Sequence, residues 1–245
     1  MPRLARVIAT GVAHHITQRG NARRAVFETD SDRFVYVNLL RDFSRRRHLT
    51  ILGYCLMCNH VHLVVIPETI DSMPVALREI HGHYAAYLNS RQGATGHVWQ
   101  GRYYSCPMDE YHLWTALRYV ERNPVRAGMV GIAELYPWSS ARVHCEEGPS
   151  DGIVDVTEWR SRWESEEWRR FLGYSPSDGP DAALLRRSTH SGRPLGSADF
   201  VGDIERQTGR ILTPGKGGRP RKTPAEATQE CLALVPEARQ SRKTR

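Results

Sequence analysis

The 245-residue sequence has no long apolar run, no disulfide framework and no internal repeat. A membrane-spanning helix needs roughly 18 consecutive apolar residues, and no stretch approaches that length, so we expect no membrane partner. The five cysteines are odd in number and irregularly spaced, which favours free thiols in a reducing cytoplasm. The first residues lack the apolar core of a secretory signal. These absences predict a cytoplasmic globular protein.

Positive charge is what the sequence has in excess. The net charge is +7 at pH 7 and the pI is about 9.4, which favours a polyanionic partner. Residues 215–245 are rich in Gly, Pro, Lys and Arg and poor in large apolar residues, so we expect a disordered basic tail there. Its segment Gly218-Arg-Pro-Arg-Lys222 is similar to an AT-hook core, in which Arg219 and Arg221 would enter a narrow minor groove.

Hydrophobic periodicity in the first part of the chain predicts the order β-α-β-β-α-β-α. We expect strands over residues 7–18, 49–57, 60–66 and 98–107, and helices over residues 31–48, 72–90 and 109–122. Four strands and two crossover helices in that order predict an α+β fold, a ferredoxin-like antiparallel sheet (β-α-β-β-α-β) with the helices packed on one face. The third helix would then cross near the sheet.

The character of the sequence changes after the third helix. A tryptophan-rich stretch over residues 156–174 predicts one helix that caps the core, with its aromatic rings used for packing, and a short helix is expected over residues 199–207. We therefore expect a first domain over residues 1–145, a helical C-terminal extension over residues 146–214, and the basic tail over residues 215–245.

The strand predicted over residues 60–66 carries two histidines on a rigid backbone. Because side chains alternate along a strand, His60 and His62 point to one face, and the apolar residues Val61, Leu63 and Val65 point to the other. Two imidazoles side by side supply two ligands of a metal site and need a third. The pair by itself is also compatible with strand histidines that bind nothing.

A candidate third ligand follows in the helix predicted over residues 109–122. That helix should end at Asn123-Pro124, because the residue before a proline avoids the α conformation. Tyr119 and Asn123 are four residues apart and therefore share one face. A phenol and an amide oxygen at that spacing can serve one site together, although a core tyrosine above a capping asparagine would show the same pattern.

Several motifs occur in a fixed order along the chain. Two of them contain the candidate site residues: Met57-x-Asn-His-x-His62 and Tyr119-Val-x-x-Asn-Pro-Val-Arg-Ala-Gly128. The others are His15-Ile-Thr-Gln-Arg-Gly-Asn21, Trp99-Gln-Gly-Arg-Tyr103, Tyr136-Pro-Trp-Ser-Ser140 and Ser191-Gly-Arg-Pro-Leu-Gly196. This ordered set resembles the HUH single-strand DNA transposases and among them the REP-associated tyrosine transposases, and the resemblance covers roughly residues 5–215. Cys58 stands where that family usually has proline.

The resemblance implies an enzyme that nicks and rejoins single-stranded DNA through a 5′-phosphotyrosine intermediate. Tyr119 would be the nucleophile, and His60, His62 and Asn123 would hold a divalent metal ion, Mg²⁺ or Mn²⁺, against the scissile phosphate. A free tyrosine has a pKa of about 10 and is a poor nucleophile at neutral pH without such assistance. The implied substrate is a repeated palindrome that folds into a DNA hairpin, cut by a monomer, with a dimer as the alternative.

Basic and aromatic residues near these motifs are candidate contacts to DNA. The predicted contacts are Arg19, Asn21, Arg23, Arg24, Arg102, Tyr103 and Arg126, together with Arg219 and Arg221 of the tail. Tyr103 and Tyr104 would stack on bases. Both of these tyrosines and Tyr111 are rival nucleophiles, but only Tyr119 lies one helical turn from an amide ligand.

Three other interpretations stay open. Cys55 and Cys58 could join the histidine pair in a zinc site, although a continuous strand would point Cys55 away from the other ligands. His15-Ile-Thr17 supplies one of the two His-x-Thr/Ser motifs that a two-histidine phosphoesterase requires. A non-catalytic nucleic-acid-binding protein, such as a domesticated transposase, would need neither Tyr119 nor Asn123.

Overall fold

A computed structural model describes residues 5–147, 152–173 and 180–213. Within these ranges the strands are β1 His14–Arg19, β2 Leu49–Met57, β3 His60–Pro67 and β4 Tyr104–Pro107. The three long helices of the first part are α1 Asp30–Arg46, α2 Ser72–Gln92 and α3 Glu110–Glu121. Shorter helices follow: α4 Asn123–Arg126, α5 Ala141–His144, α6 Thr157–Arg162, α7 Ser165–Gly173, α8 Pro180–Ser191 and α9 Ala198–Thr208.

The strands form one antiparallel sheet in the order β2-β3-β1-β4. This arrangement confirms the ferredoxin-like α+β prediction, including the order of elements. Two strands are shorter than predicted, because glycines with a left-handed backbone break them. Gly11, at φ 70°, precedes β1, and Gly101, at φ 95°, separates β4 from the buried segment at Val98.

The two faces of the sheet bury different sets of side chains. Val61, Leu63 and Val65 of β3 pack in one core with residues of α1 and α2. Val64, on the opposite face, packs in a second core with Leu117 and its neighbours in α3. This alternation is what a strand period of two requires. It confirms the predicted orientation of β3 and places α3 on the face that carries the histidines.

The described part of the predicted extension packs into the second core. Trp159, Trp168 and Leu185 are buried there. The burial of Trp159 and Trp168 confirms the prediction that these rings serve packing. The single helix predicted over residues 156–174 is instead two helices, α6 and α7, because Trp163 between them has extended backbone angles. Helix α8 had no counterpart in the prediction. The boundary predicted at residue 145 stays a prediction, and the described residues up to Leu212 form one compact unit.

Other predictions concern the cysteines and the membrane. The four cysteines within the described residues are free thiols, and three of them are buried. No helix in the described part of the chain is long and apolar enough to cross a membrane. The predicted disordered tail, with its Arg219 and Arg221, lies outside the described residues.

A buried carboxylate holds α3 in place. Glu121 Oε1 accepts hydrogen bonds from Ser140 Oγ and from His144 Nδ1, each at 2.6 Å, and its Oε2 accepts one from Trp168 Nε1 at 2.7 Å. The Glu121 side chain is fully buried, and a buried carboxylate is tolerated only when donors surround it. These bonds tie α3 to α5 and α7, and so fix the rotation of the helix that carries Tyr119.

We expect Glu121→Ala to destabilise the fold strongly, because it leaves the buried His144 and Trp168 donors without an acceptor. Each orphaned donor costs about 1–3 kcal/mol, so the free energy of unfolding should fall by roughly 3 kcal/mol or more. Urea denaturation followed by tryptophan fluorescence measures this. Glu110→Ala, at an exposed position on the same helix, is the control and should cost less than about 1 kcal/mol. Equal losses for the two variants would contradict the assignment.

Candidate active site

The pairing of β1 with β3 gathers polar side chains on one face of the sheet. Thr17 lies directly opposite His62, and Arg19 lies opposite His60. Because directly opposed residues in a sheet point to the same side, His15, Thr17 and Arg19 share the face of the histidine pair. The ring centroids of His60 and His62 are 5.0 Å apart. The predicted pair is therefore part of a longer polar stripe.

Helix α3 brings Tyr119 against this stripe. The Tyr119 ring lies 5.6 Å from the His62 ring and 6.1 Å from the His15 ring, measured between centroids, with its plane nearly perpendicular to both. The helix ends at Glu121, one residue before the predicted end, but the predicted reason was wrong, because Asn123 before the proline is itself helical and begins α4. His60, His62, Tyr119 and Asn123 all line one cavity of about 410 Å³. The structure thus brings together the four residues that the sequence proposed for catalysis and metal binding.

Arg126 links the phenol and the amide. Its Nη2 donates hydrogen bonds to Tyr119 Oη at 3.1 Å and to Asn123 Oδ1 at 2.5 Å. Its guanidinium carbon lies 4.5 Å from the centroid of the Tyr119 ring. The Asn123 amide nitrogen donates to the backbone oxygen of Tyr119 at 2.9 Å, which leaves Oδ1 as the acceptor. The positive charge of the Arg126 guanidinium therefore lies against both the Tyr119 hydroxyl and the Asn123 amide oxygen.

The Nδ1 atom of each histidine has a hydrogen-bond partner. Asn59 Nδ2 donates to the Arg23 carbonyl oxygen, so Asn59 Oδ1 accepts from His60 Nδ1 at 2.6 Å. His62 Nδ1 lies 3.0 Å from His15 Nε2. Among the described residues, no hydrogen-bond partner meets Nε2 of either histidine. A neutral ring whose Nδ1 carries the proton presents Nε2 as a ligand atom.

Burial keeps these rings neutral. Burial is the main cause that lowers the pKa of His60 to about 4 and that of His15 to about 3. Burial, followed by the neighbouring His15 and His60, holds the pKa of His62 well below its usual value. A neutral imidazole is the form that binds a metal ion.

The two imidazoles and the Asn123 amide oxygen fit a divalent cation with open positions. The Nδ1 contacts leave the Nε2 atom of each ring for a ligand. The Asn123 amide oxygen accepts from Arg126, and a metal ion would have to replace Arg126 at that atom. Nitrogen and neutral oxygen donors with vacant sites suit Mg²⁺ or Mn²⁺ better than a closed structural zinc site.

The expected orientation of Cys55 was wrong. A turn at Cys58 and Asn59 separates β2 from β3, so Cys55 lies opposite His62 and shares its face. Cys58 itself is exposed, and Arg33 Nη2 lies 4.0 Å from its sulfur. Within the described residues, no three His, Cys, Asp or Glu side chains converge on one point. A site built on the histidine pair would take its third ligand from an amide.

The predicted DNA contacts are distributed around the cavity. Arg19, Arg23 and Arg126 line it, whereas Asn21 and Arg24 are exposed and do not. Arg102 and Tyr103 line a smaller, adjoining pocket that shares Tyr104, Thr189 and His190 with the cavity. Tyr103 is 7% exposed, and the Arg6 guanidinium covers its ring at 3.8 Å. All of these contacts stay predictions.

The predicted rival nucleophiles make other contacts. Tyr104 lines the cavity but packs against His190, with ring centroids 4.6 Å apart. Tyr111 is 63% exposed, with its hydroxyl 3.4 Å from Asp181 Oδ2. In the described chain, Tyr119 is the tyrosine whose ring contacts His62.

Sequence reasoning missed one wall of the cavity. Arg186, Thr189 and His190, all on α8, line it together with His15. His15 could have been found, because it alternates with Thr17 and Arg19 on a strand and so shares their face. The residues of α8 carried no comparable signal, since their position depends on how that helix packs.

The family model described as "Transposase IS200 like" matches residues 9–123. That segment contains the whole sheet and the helix with Tyr119, and over these residues the chain is similar to the IS200-like transposases. The resemblance to single-strand DNA transposases is thereby confirmed.

Solved structures are also similar to this chain. One is a REP-associated tyrosine transposase bound to a REP hairpin, with a TM-score of 0.51 and 22% identity over 64% of this chain and 94% of that chain. It shares the ferredoxin-like fold. Another is a putative transposase from Deinococcus radiodurans R1, with a TM-score of 0.34 and 18% identity over 49% of this chain and 97% of that chain. Among curated proteins, none matches this chain.

We expect the buried imidazoles to make the fold sensitive to acid. Burial lowers the pKa of His15 from its ordinary value of 6.5 to about 3 in the folded protein. As the pH falls, His15 therefore takes up a proton in the unfolded chain before it does so in the folded protein. The stability that its low pKa contributes is fully present above pH 6.5 and is lost as the pH falls towards 3. His15→Gln should reduce the slope of unfolding free energy against pH by up to about 1.4 kcal/mol per pH unit in this window.

Urea denaturation at pH 7, 6 and 5 measures that slope. The matched control is His97→Gln, because His97 is an exposed histidine. Its slope should equal that of the wild type. A His15→Gln slope that also equals the wild type would show that His15 is not buried in its neutral form.

Proposed function

We propose that this transposase nicks and rejoins single-stranded DNA with Tyr119 as its nucleophile and a divalent metal ion as its cofactor. This is the chemistry of the HUH single-tyrosine type. The observation that carries the proposal is the position of Tyr119, which comes from a separate helix yet lies against His62 in the cavity that His60 and Asn123 also line. Tyr119 is largely buried, but its hydroxyl lies on the cavity side, where Arg126 Nη2 donates to it.

In the proposed reaction, Tyr119 Oη attacks the scissile phosphorus. The new bond joins Oη to phosphorus, and the bond from phosphorus to the 3′-oxygen breaks. The phenol proton is lost, and the departing 3′-oxygen gains a proton to become a free hydroxyl. Rejoining is the reverse attack by a 3′-hydroxyl on the 5′-phosphotyrosine, so neither water nor a nucleotide cofactor is consumed.

Arg126 is placed to assist the attacking oxygen. Its Nη2 already donates to Tyr119 Oη, and a guanidinium there stabilises the negative charge that develops as the phenol loses its proton. His60, His62 and Asn123 would hold the cation. When bound, Mg²⁺ or Mn²⁺ would withdraw charge from the phosphate and orient it.

The charge of the cavity supports a DNA substrate. Arg19, Arg23, Arg126 and Arg186 line it, and phosphate contacts of this kind supply most of the affinity for nucleic acid. The similar REP-associated transposase was solved with a REP hairpin, and we extend that substrate class, a hairpin-forming palindrome, to this chain. Since Tyr119 contacts His62 of its own chain, a monomer is sufficient for one cleavage event.

We expect Tyr119→Phe to abolish cleavage while DNA binding and folding persist, because only the hydroxyl is removed. The measurement is a denaturing gel of protein incubated with 5′- and 3′-labelled hairpin oligonucleotides and Mn²⁺, in which wild type gives a covalent band on the 5′-phosphate side. Tyr111→Phe, an exposed tyrosine in the same helix, is the control and should cleave normally. Nicking by the Tyr119→Phe protein would refute the assignment.

We expect Arg126→Met to change metal binding and cleavage in opposite directions. It removes a positive charge beside the cation site and frees Asn123 Oδ1, so Mn²⁺ affinity should rise by about tenfold, or roughly 1.4 kcal/mol. It also removes the donor to Tyr119 Oη, so the cleavage rate at saturating Mn²⁺ should fall by at least about tenfold.

Mn²⁺ affinity is measured by electron paramagnetic resonance of the free ion, and cleavage by single-turnover assays. Arg102→Met, at a position that does not line the cavity, is the control for metal affinity and should leave that affinity unchanged. Lower Mn²⁺ affinity in Arg126→Met would contradict the idea that Arg126 competes with the cation.

A further inference from the structure

A chain of buried hydrogen bonds runs from α8 to the histidine pair. Thr189 Oγ1 lies 2.7 Å from His15 Nδ1, and His15 Nε2 lies 3.0 Å from His62 Nδ1. Thr189 and His15 are each 1% exposed, so no solvent replaces these contacts. The chain begins in a helix that lies outside the family-matched segment, residues 9–123.

The direction of each bond follows from its neighbours. Thr189 Oγ1 also lies 2.7 Å from the Leu185 carbonyl oxygen, which can only accept, so the single hydroxyl proton is used there. Thr189 Oγ1 must then accept from His15 Nδ1, which therefore carries the ring proton of His15. His15 Nε2 is left bare and accepts from His62 Nδ1. The His62 proton is thus fixed on Nδ1, and its Nε2 lone pair is the one available to the cavity.

We propose that Thr189 and His15 are positioning residues that lock His62 in the tautomer and ring orientation needed to bind the catalytic cation. The proposal rests on the proposed function, in which His62 binds the cation. It adds that α8 fixes the His62 ring in the tautomer that binds it. A metal-binding histidine commonly has its second nitrogen held by such a partner, and loss of the partner typically lowers metal affinity by about 10–100-fold.

The test compares three threonine variants. Thr189→Val keeps the shape but removes the acceptor for His15, and Thr189→Ser restores a hydroxyl. Thr208→Val is the matched control, because Thr208 Oγ1 makes the same 2.7 Å bond to the carbonyl oxygen four residues earlier, in α9. Thermal melts before any other measurement show whether each variant is folded.

Three measurements are made on each folded variant, and the first of them uses metal-free protein. The first is the ¹⁵N chemical shift of the His62 ring nitrogens in metal-free protein, which distinguishes a proton on Nδ1 from one on Nε2. The second is the dissociation constant for Mn²⁺, from electron paramagnetic resonance. Single-turnover cleavage adds a third, because a weaker site should show a raised Mn²⁺ requirement with a nearly unchanged rate at saturating Mn²⁺.

We expect His62 to be protonated on Nδ1 in wild type, Thr189→Ser and Thr208→Val. In Thr189→Val we expect mixed tautomers and an Mn²⁺ dissociation constant raised about 10–100-fold. An unchanged His62 spectrum and unchanged Mn²⁺ affinity in folded Thr189→Val would overturn the proposal. If wild type binds no Mn²⁺, the metal site of the proposed function is wrong, and the ¹⁵N spectra alone still decide the hydrogen-bond chain.

Discussion

The antiparallel register between β1 and β3 is the constraint on which the rest of the site depends. With Thr17 opposite His62, the residues His15, Thr17 and Arg19 share one face with the histidine pair. A slip of one residue would turn every one of those side chains to the face occupied by α1 and α2. That face is a dense apolar core. Burying imidazoles and a guanidinium there without hydrogen-bond partners would strongly destabilise the fold.

The opposing wall is fixed by different interactions. Glu121 anchors α3 to α5 and α7, and the Asn-Pro step then turns the chain into α4, so that Arg126 comes back over Tyr119. Stability and chemistry are coupled here, because the buried carboxylate that holds the helix is two residues from the phenol. The same helix thus serves the core with one face and the cavity with another.

Helix α8 closes the arrangement and gives the C-terminal part of the chain a place in the site. It supplies Arg186, with its guanidinium carbon 6.0 Å from the centroid of the Tyr119 ring, as well as Thr189 behind His15. The rival interpretations fit this geometry less well. A two-histidine phosphoesterase needs a second His-x-Thr/Ser motif on the sheet. A purely structural sheet would not need a histidine pair that lines a basic cavity.

The sequence by itself determined the order of elements and the shared face of His60 and His62, because these follow from local hydrophobic periods. Proline sterics did not stop the helical conformation at Asn123, which begins α4. It also predicted Tyr119, through spacing and resemblance. Only the tertiary structure decided the partners of these residues. Strand register places His15 beside His62. Helix docking brings Arg126 against the Tyr119 hydroxyl, buries Glu121 among its donors and places Thr189 against His15. Those contacts join residues far apart in the chain, and no local pattern specifies them.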